Sequence, residues 1–99
     1  MSLLGTISLA EPVIHGVLKL SFADGYVGVI DLRPFISDGE VFEWMRQRAN
    51  FPKMAVDPYG HSISWTADDG YVVDFGADAL RRDCERQAAT IAAMWTQGR

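Results

Sequence analysis

Three observations predict an α+β fold: a small, mostly antiparallel sheet of five to six strands, arranged as a hairpin plus a meander, with one short helix and a long C-terminal amphipathic helix. Apolar residues alternate with polar ones in short runs such as Val17 to Phe22 and Ser62 to Thr66. Aspartate-glycine turn signals punctuate these runs at Asp24-Gly25, Asp57-Pro58-Tyr59-Gly60 and Asp68-Asp69-Gly70. After Gly76 the apolar period lengthens to three or four, through Leu80, Cys84, Ala88, Ile91 and Trp95.

The first run, VLKLSF, sets Leu18, Leu20 and Phe22 on one face and Val17, Lys19 and Ser21 on the other, as a half-buried strand does. Asp24-Gly25 then predicts a two-residue type I′ loop, which needs positive φ at both positions. In that register Phe22 faces Val27, Leu20 faces Val29 and Leu18 faces Asp31, so a carboxylate ends an apolar face. Burying it unpaired costs on the order of 2–7 kcal/mol. The residues that follow supply the remedy: Pro34 opens a turn or a short helix, and Asp31 can accept the backbone N–H of Arg33 and pair with its guanidinium.

Ser37-Asp38-Gly39 breaks the chain. From Glu40 to Asn50, Val41, Trp44, Met45 and Arg48 recur at helical spacing, with Glu40 and Glu43 in the first turn where the dipole favours them. Three short strands follow. Lys53 to Val56 enters a type I turn at Asp57 to Gly60, Ser62 to Thr66 returns with Ile63 and Trp65 facing the core, and the turn at Gly70 leads into Tyr71 to Phe75. The last helix, over about 77–96, carries Asp78 in its first turn, placed to pair with Arg82. No internal repeat, linker or low-complexity tract is evident.

The 99 residues, 48% hydrophobic and 22% charged, match one folded domain over 1–99, with its core over about 4–83. A net charge of −4 leaves no basic field to gather phosphates, so nucleic acid is an unfavoured partner. Arg81, Arg82 and Arg86 form the best basic face, but Asp78, Asp83 and Glu85 interleave with them. No apolar stretch approaches the ~18 residues that cross a bilayer, and no membrane association is expected. One cysteine, Cys84, suits a reducing cytoplasm. Met1 to Leu3 read as a remnant of cloning ahead of mature sequence.

Chemistry is sparse. His15, His61 and Cys84 have no ligand neighbours at zinc-site spacing, and the one local cluster that turns could assemble is Asp57, His61, Asp68 and Asp69. Cys84 falls on an apolar stripe, the usual place of an inert thiol. No serine elbow, phosphate loop or dinucleotide fingerprint is present. The expectation is therefore a protein with no catalytic residue, cofactor or metal, in which Asp24, Gly25, Asp31, Asp57, Gly60 and Gly70 shape turns and caps. Its working surface would be the last helix, with Leu80, Ile91, Met94 and Trp95 as apolar contacts beside Arg81, Arg82 and Arg86. The partner would be a second copy, as a homodimer, or a small protein encoded nearby. A transcriptional role through the arginines, and a small metal- or acid-dependent enzyme, are the alternatives.

The order Leu18, Leu20, Phe22, Asp24, Gly25, then Asp31, Leu32, Pro34, Phe35, then Phe51, Val56, Asp57, then Ile63, Trp65, then Asp74, Phe75, Asp78, Leu80 resembles a family of small bacterial domains, Domain of Unknown Function twenty-four forty-two. The similarity spans roughly residues 4 to 83. It implies an α+β fold of antiparallel strands with short helices, and no established activity. Some members carry a helix-turn-helix domain and others look to be encoded beside a toxin-like protein, which implies an antitoxin-like binding role. Here one helix follows Leu80, too little for a helix-turn-helix, and Phe75 stands where the family more often has leucine.

Overall fold

Among the described residues six strands form two antiparallel meanders instead of one sheet, with β1 (Ile7–Ile14), β2 (Val17–Phe22) and β3 (Val27–Asp31) in the first, and β4 (Ala55–Val56), β5 (Ser62–Thr66) and β6 (Val72–Gly76) in the second. The computed structural model describes residues 5–97. Met1 to Leu3 and Leu4, the expected start of the core, lie outside the described residues. Among the described residues β1 pairs with β2 alone and reaches the second meander through a backbone bond from the Ile7 N–H to the Gly60 carbonyl at 2.8 Å, so the sheets stay separate. β1 escaped the sequence reading: its run ISLAEPVI does not alternate cleanly, and Pro12 is tolerated because the strand lies at an edge.

The first hairpin corrects the predicted register by one residue. Ala23, Asp24 and Gly25 make a three-residue loop, closed by Phe22 N–H to Tyr26 C=O at 2.8 Å and Gly25 N–H to Phe22 C=O at 3.0 Å. Only Gly25, at φ 92°, takes positive φ, so the loop is a type I turn with a left-handed glycine and not type I′. Leu18 therefore faces Ile30 and Leu20 faces Gly28, while Asp31 faces Val17 on the other side of the sheet. One step of register exchanges the two faces of a strand. It removes the buried-carboxylate problem and seals Leu18, Leu20 and Ile30 completely.

After β3, α1 (Arg33–Ile36) is the short helix that Pro34 starts. The helix expected over Glu40 to Asn50 contracts to a 3₁₀ turn at Glu40–Phe42 and one turn of α2 (Glu43–Arg46), after which Gln47 is extended. Asn50 then folds back, its amide donating to the Trp44 carbonyl at 3.0 Å. The strand expected from Lys53 starts only at Ala55, since Phe51–Lys53 forms a second 3₁₀ turn around Pro52, which has no N–H for a ladder.

The second meander holds the expected strand β5, with Ile63 and Trp65 buried, and α3 (Ala77–Gln97) closes the fold. One core joins both sheets: Leu18, Leu20, Phe22 and Ile30 from the first, Ile63 and Trp65 from the second, and Leu80 and Cys84 from α3. The sheets are also built to one plan. DGYV occurs at Asp24 to Val27 and again at Asp69 to Val72, a repeat the sequence reading missed. The Ala67 N–H bonds the Tyr71 carbonyl at 2.8 Å and the Gly70 N–H bonds the Ala67 carbonyl at 2.9 Å, reproducing the loop at Gly25. In both, the aspartate accepts the tyrosine N–H, Tyr26 on Asp24 at 3.1 Å and Tyr71 on Asp69 at 3.0 Å.

Candidate functional site

α3 is the element expected to carry function, and its two halves have opposite surroundings. Up to Gln87 it lies along β3. Arg81 donates to both carboxylate oxygens of Asp24 at 3.1 and 2.9 Å and to Glu85 at 2.7 Å, and its guanidinium stands 4.1 Å from the Tyr26 ring centroid and 5.0 Å from that of Phe22. One side chain thus ties the hairpin tip to the helix. Six residues on, the Gln87 amide brackets the backbone of Asp31: its oxygen accepts the Asp31 N–H at 2.9 Å and its nitrogen donates to the Asp31 carbonyl at 3.1 Å. A side chain here does what a neighbouring strand would do for the open edge of β3.

Beyond Gln87 every residue from Ala88 to Trp95 is exposed. Ala77, Leu80 and Cys84 are buried, while Ile91 is 67%, Met94 66% and Trp95 70% exposed. At 100° per residue, Leu80, Cys84, Ile91 and Trp95 share an arc of about 60°. The stripe that enters the core therefore runs on past the edge of the body, on an overhang of about 12 Å. This segment, AATIAAMW, carries no charge.

The other expected site residues sit as follows. Asp31 accepts the Arg33 backbone N–H at 3.0 Å and pairs with its guanidinium at 2.8 and 2.9 Å, as the sequence predicts. Asp57 caps its turn by accepting the Tyr59 N–H at 2.9 Å, and Gly60 closes it with a bond to the Asp57 carbonyl at 2.8 Å. Asp57, His61, Asp68 and Asp69, the one cluster that the turns could have assembled, do not come together among the described residues, because successive turns of a meander fall at opposite ends of β5. Among the described residues no three His, Cys, Asp or Glu side chains converge as metal ligands. The basic face is divided as well. Arg81 belongs to the hairpin clamp, Arg86 pairs with Asp83, and Arg82 is exposed. Among the described residues the pairing expected between Asp78 and Arg82 is not made; Arg81 pairs with Glu85 and Asp83 with Arg86 within the helix. Burial pushes the Cys84 thiol up to about 11, so it is protonated at neutral pH. Among the described residues no helix is long and apolar enough to cross a membrane.

A pH dependence follows from the two aspartates. The Arg81 hydrogen bonds hold the Asp24 carboxyl below its ordinary 3.8, and Arg33 does the same for Asp31. A lowered folded value means that the ionised form is favoured by folding, so this stabilisation is complete above the unfolded value near 4 and is lost as pH falls through the folded values. Thermal unfolding between pH 7 and 2 should show the midpoint dropping below about pH 4. Asp24→Asn should lower the midpoint at pH 7 and flatten that drop. An unchanged profile in the variant would show that the clamp has no energetic role.

Comparison of the chain with family models, curated proteins and solved structures finds no match. Two features of the site are not in the sequence reading: the role of Gln87, which nothing local signals, and the paired DGYV loops, which the repeated tetrapeptide does signal.

Proposed function

We propose that this protein is a non-enzymatic protein-binding module acting through the projecting half of α3, with a second copy of the chain as the preferred partner and a small protein encoded nearby as the alternative. The observation that carries the reading is the continuation of the core-facing stripe onto an overhang where Ile91 and Met94 stand two-thirds exposed. Exposed apolar surface of this continuity is a mark of contact sites. The absence of charge over Ala88 to Trp95 favours a self-complementary contact, since nothing there selects a partner by sign. Stable interfaces bury about 800 Å² per partner, more than two turns of helix supply, so the overhang must also rest on the partner's body. The resemblance to small domains, some of which look to be encoded beside a toxin-like protein, supports a protein-binding role.

Sedimentation velocity tests this reading. The expected result is a concentration-dependent dimer, converted to monomer by Ile91→Asp with Met94→Asp, while circular dichroism shows the variant still folded, because both sites are exposed in the single chain. A chain that stays monomeric at high concentration, and that also retains no product of a neighbouring gene on co-expression, would overturn it.

A further inference from the structure

The two DGYV loops share a backbone but differ in what covers them. At the first, the guanidinium of Arg81 lies on the Tyr26 ring and grips both oxygens of Asp24. At the second, Tyr71 is 51% exposed, and among the described residues Asp69 accepts the Tyr71 N–H and no guanidinium. The sheet accounts for the difference. Tyr26 leans over Gly28, where an added Cβ would meet the ring at 2.8 Å, whereas Val73 stands at the matching place in β6 and leaves no room for Tyr71 to lean in. Tyr71 instead forms a wall of an open cleft of about 490 Å³ between the second loop and the segment from Glu40 to Gln47. Trp44 contributes aromatic surface, and every charged residue lining the cleft is acidic: Glu40, Glu43, Asp68 and Asp69.

We propose that this cleft receives an arginine side chain from another polypeptide, its guanidinium held by Asp69 against Tyr71 as Arg81 is held by Asp24 against Tyr26. The fold itself supplies the precedent, because the same tetrapeptide in the same loop already binds a guanidinium once. A planar fork matches a carboxylate with two parallel bonds and stacks on an aromatic face, which an ammonium does less well. Free arginine is a poor ligand by the same logic. Its own carboxylate would enter a cleft with four acidic residues and no basic one to receive it, whereas in a chain that charge is consumed by the peptide bond. This interaction uses a surface separate from the α3 overhang and stands or falls independently of it.

The test is a titration of isotope-labelled protein, followed by NMR, with four probes: N-acetyl-arginine methylamide, the matching lysine and citrulline derivatives, and free arginine. The expected result is saturable shifts at Asp69, Tyr71 and the Trp44 indole with the blocked arginine, weaker binding of the lysine derivative and of free arginine, and none of the uncharged citrulline. Asp69→Asn keeps an oxygen for the Tyr71 N–H and so preserves the loop. It should weaken the blocked arginine at least about threefold, and Tyr71→Leu about two- to fivefold. Equal binding of citrulline, tighter binding of lysine, shifts confined to Tyr26, or affinity unchanged in both variants would each overturn the proposal, as would no shift at all.

Discussion

Trp65→Ala is expected to lose about 3–5 kcal/mol of stability, the range for removing a buried aromatic side chain. Trp65 is wholly buried at the meeting of the two sheets, stacked on Phe51 at 5.7 Å and edge-on to Phe75 at 5.9 Å. Its indole N–H donates to the Phe51 carbonyl at 2.8 Å, an acceptor the alanine would strand. For a domain of this size the thermal midpoint should fall by on the order of 20 °C, and a protein of ordinary stability would be left near the edge of folding. Trp65→Phe separates the contributions: it keeps most of the ring contact and loses the hydrogen bond, so about 1–2 kcal/mol is expected. Urea unfolding monitored by circular dichroism measures both. A loss below 1 kcal/mol in the alanine variant would mean that the two sheets do not share the core described.

Gly60→Ala should cost about 2–4 kcal/mol, well beyond a turn glycine's usual worth. Gly60 has φ 74°, a left-handed conformation, and an added Cβ would lie 2.6 Å from the Ile7 carbonyl oxygen and 2.9 Å from the Ile7 nitrogen. Both neighbours are backbone and cannot swing aside. The same glycine's carbonyl receives the bond that joins β1 to the second meander. Gly25→Ala is the control. It shares the left-handed backbone, at φ 92°, with nothing within 4 Å of the added carbon, so about 1–2 kcal/mol for the conformation alone is expected. Hydrogen exchange at the Ile7 amide should accelerate in the Gly60 variant only; equal losses from both substitutions would remove the crowding argument.

Much of this architecture was legible in the chain because it rests on local chemistry. An aspartate side chain reaches an N–H two residues on, so Asp24, Asp31, Asp57 and Asp69 announce their turns without help from the rest of the molecule. The strand Ser62 to Thr66 and the helix from Ala77 were equally plain, their apolar periods being sustained over the whole element. The helix over Glu40 to Asn50 shows the opposite case. Its spacing was right but its length was set elsewhere, by Asn50 folding back on Trp44 and by Arg46 donating to the carbonyls of Ile36 and Gly39 at 2.9 Å.

Composition, turn chemistry and periodicity by themselves determined an α+β chain, its acidic turns and a last helix with one apolar stripe. Only the tertiary structure decided that the strands divide into two meanders and that the first hairpin shifts by one residue. It also decided that Arg81 is a clamp, and that the apolar stripe is core at Leu80 and surface at Ile91. The reason is one of range. A turn depends on atoms a few residues apart, whereas the face a residue presents depends on the register of a partner strand and on where the body beneath a helix comes to an end.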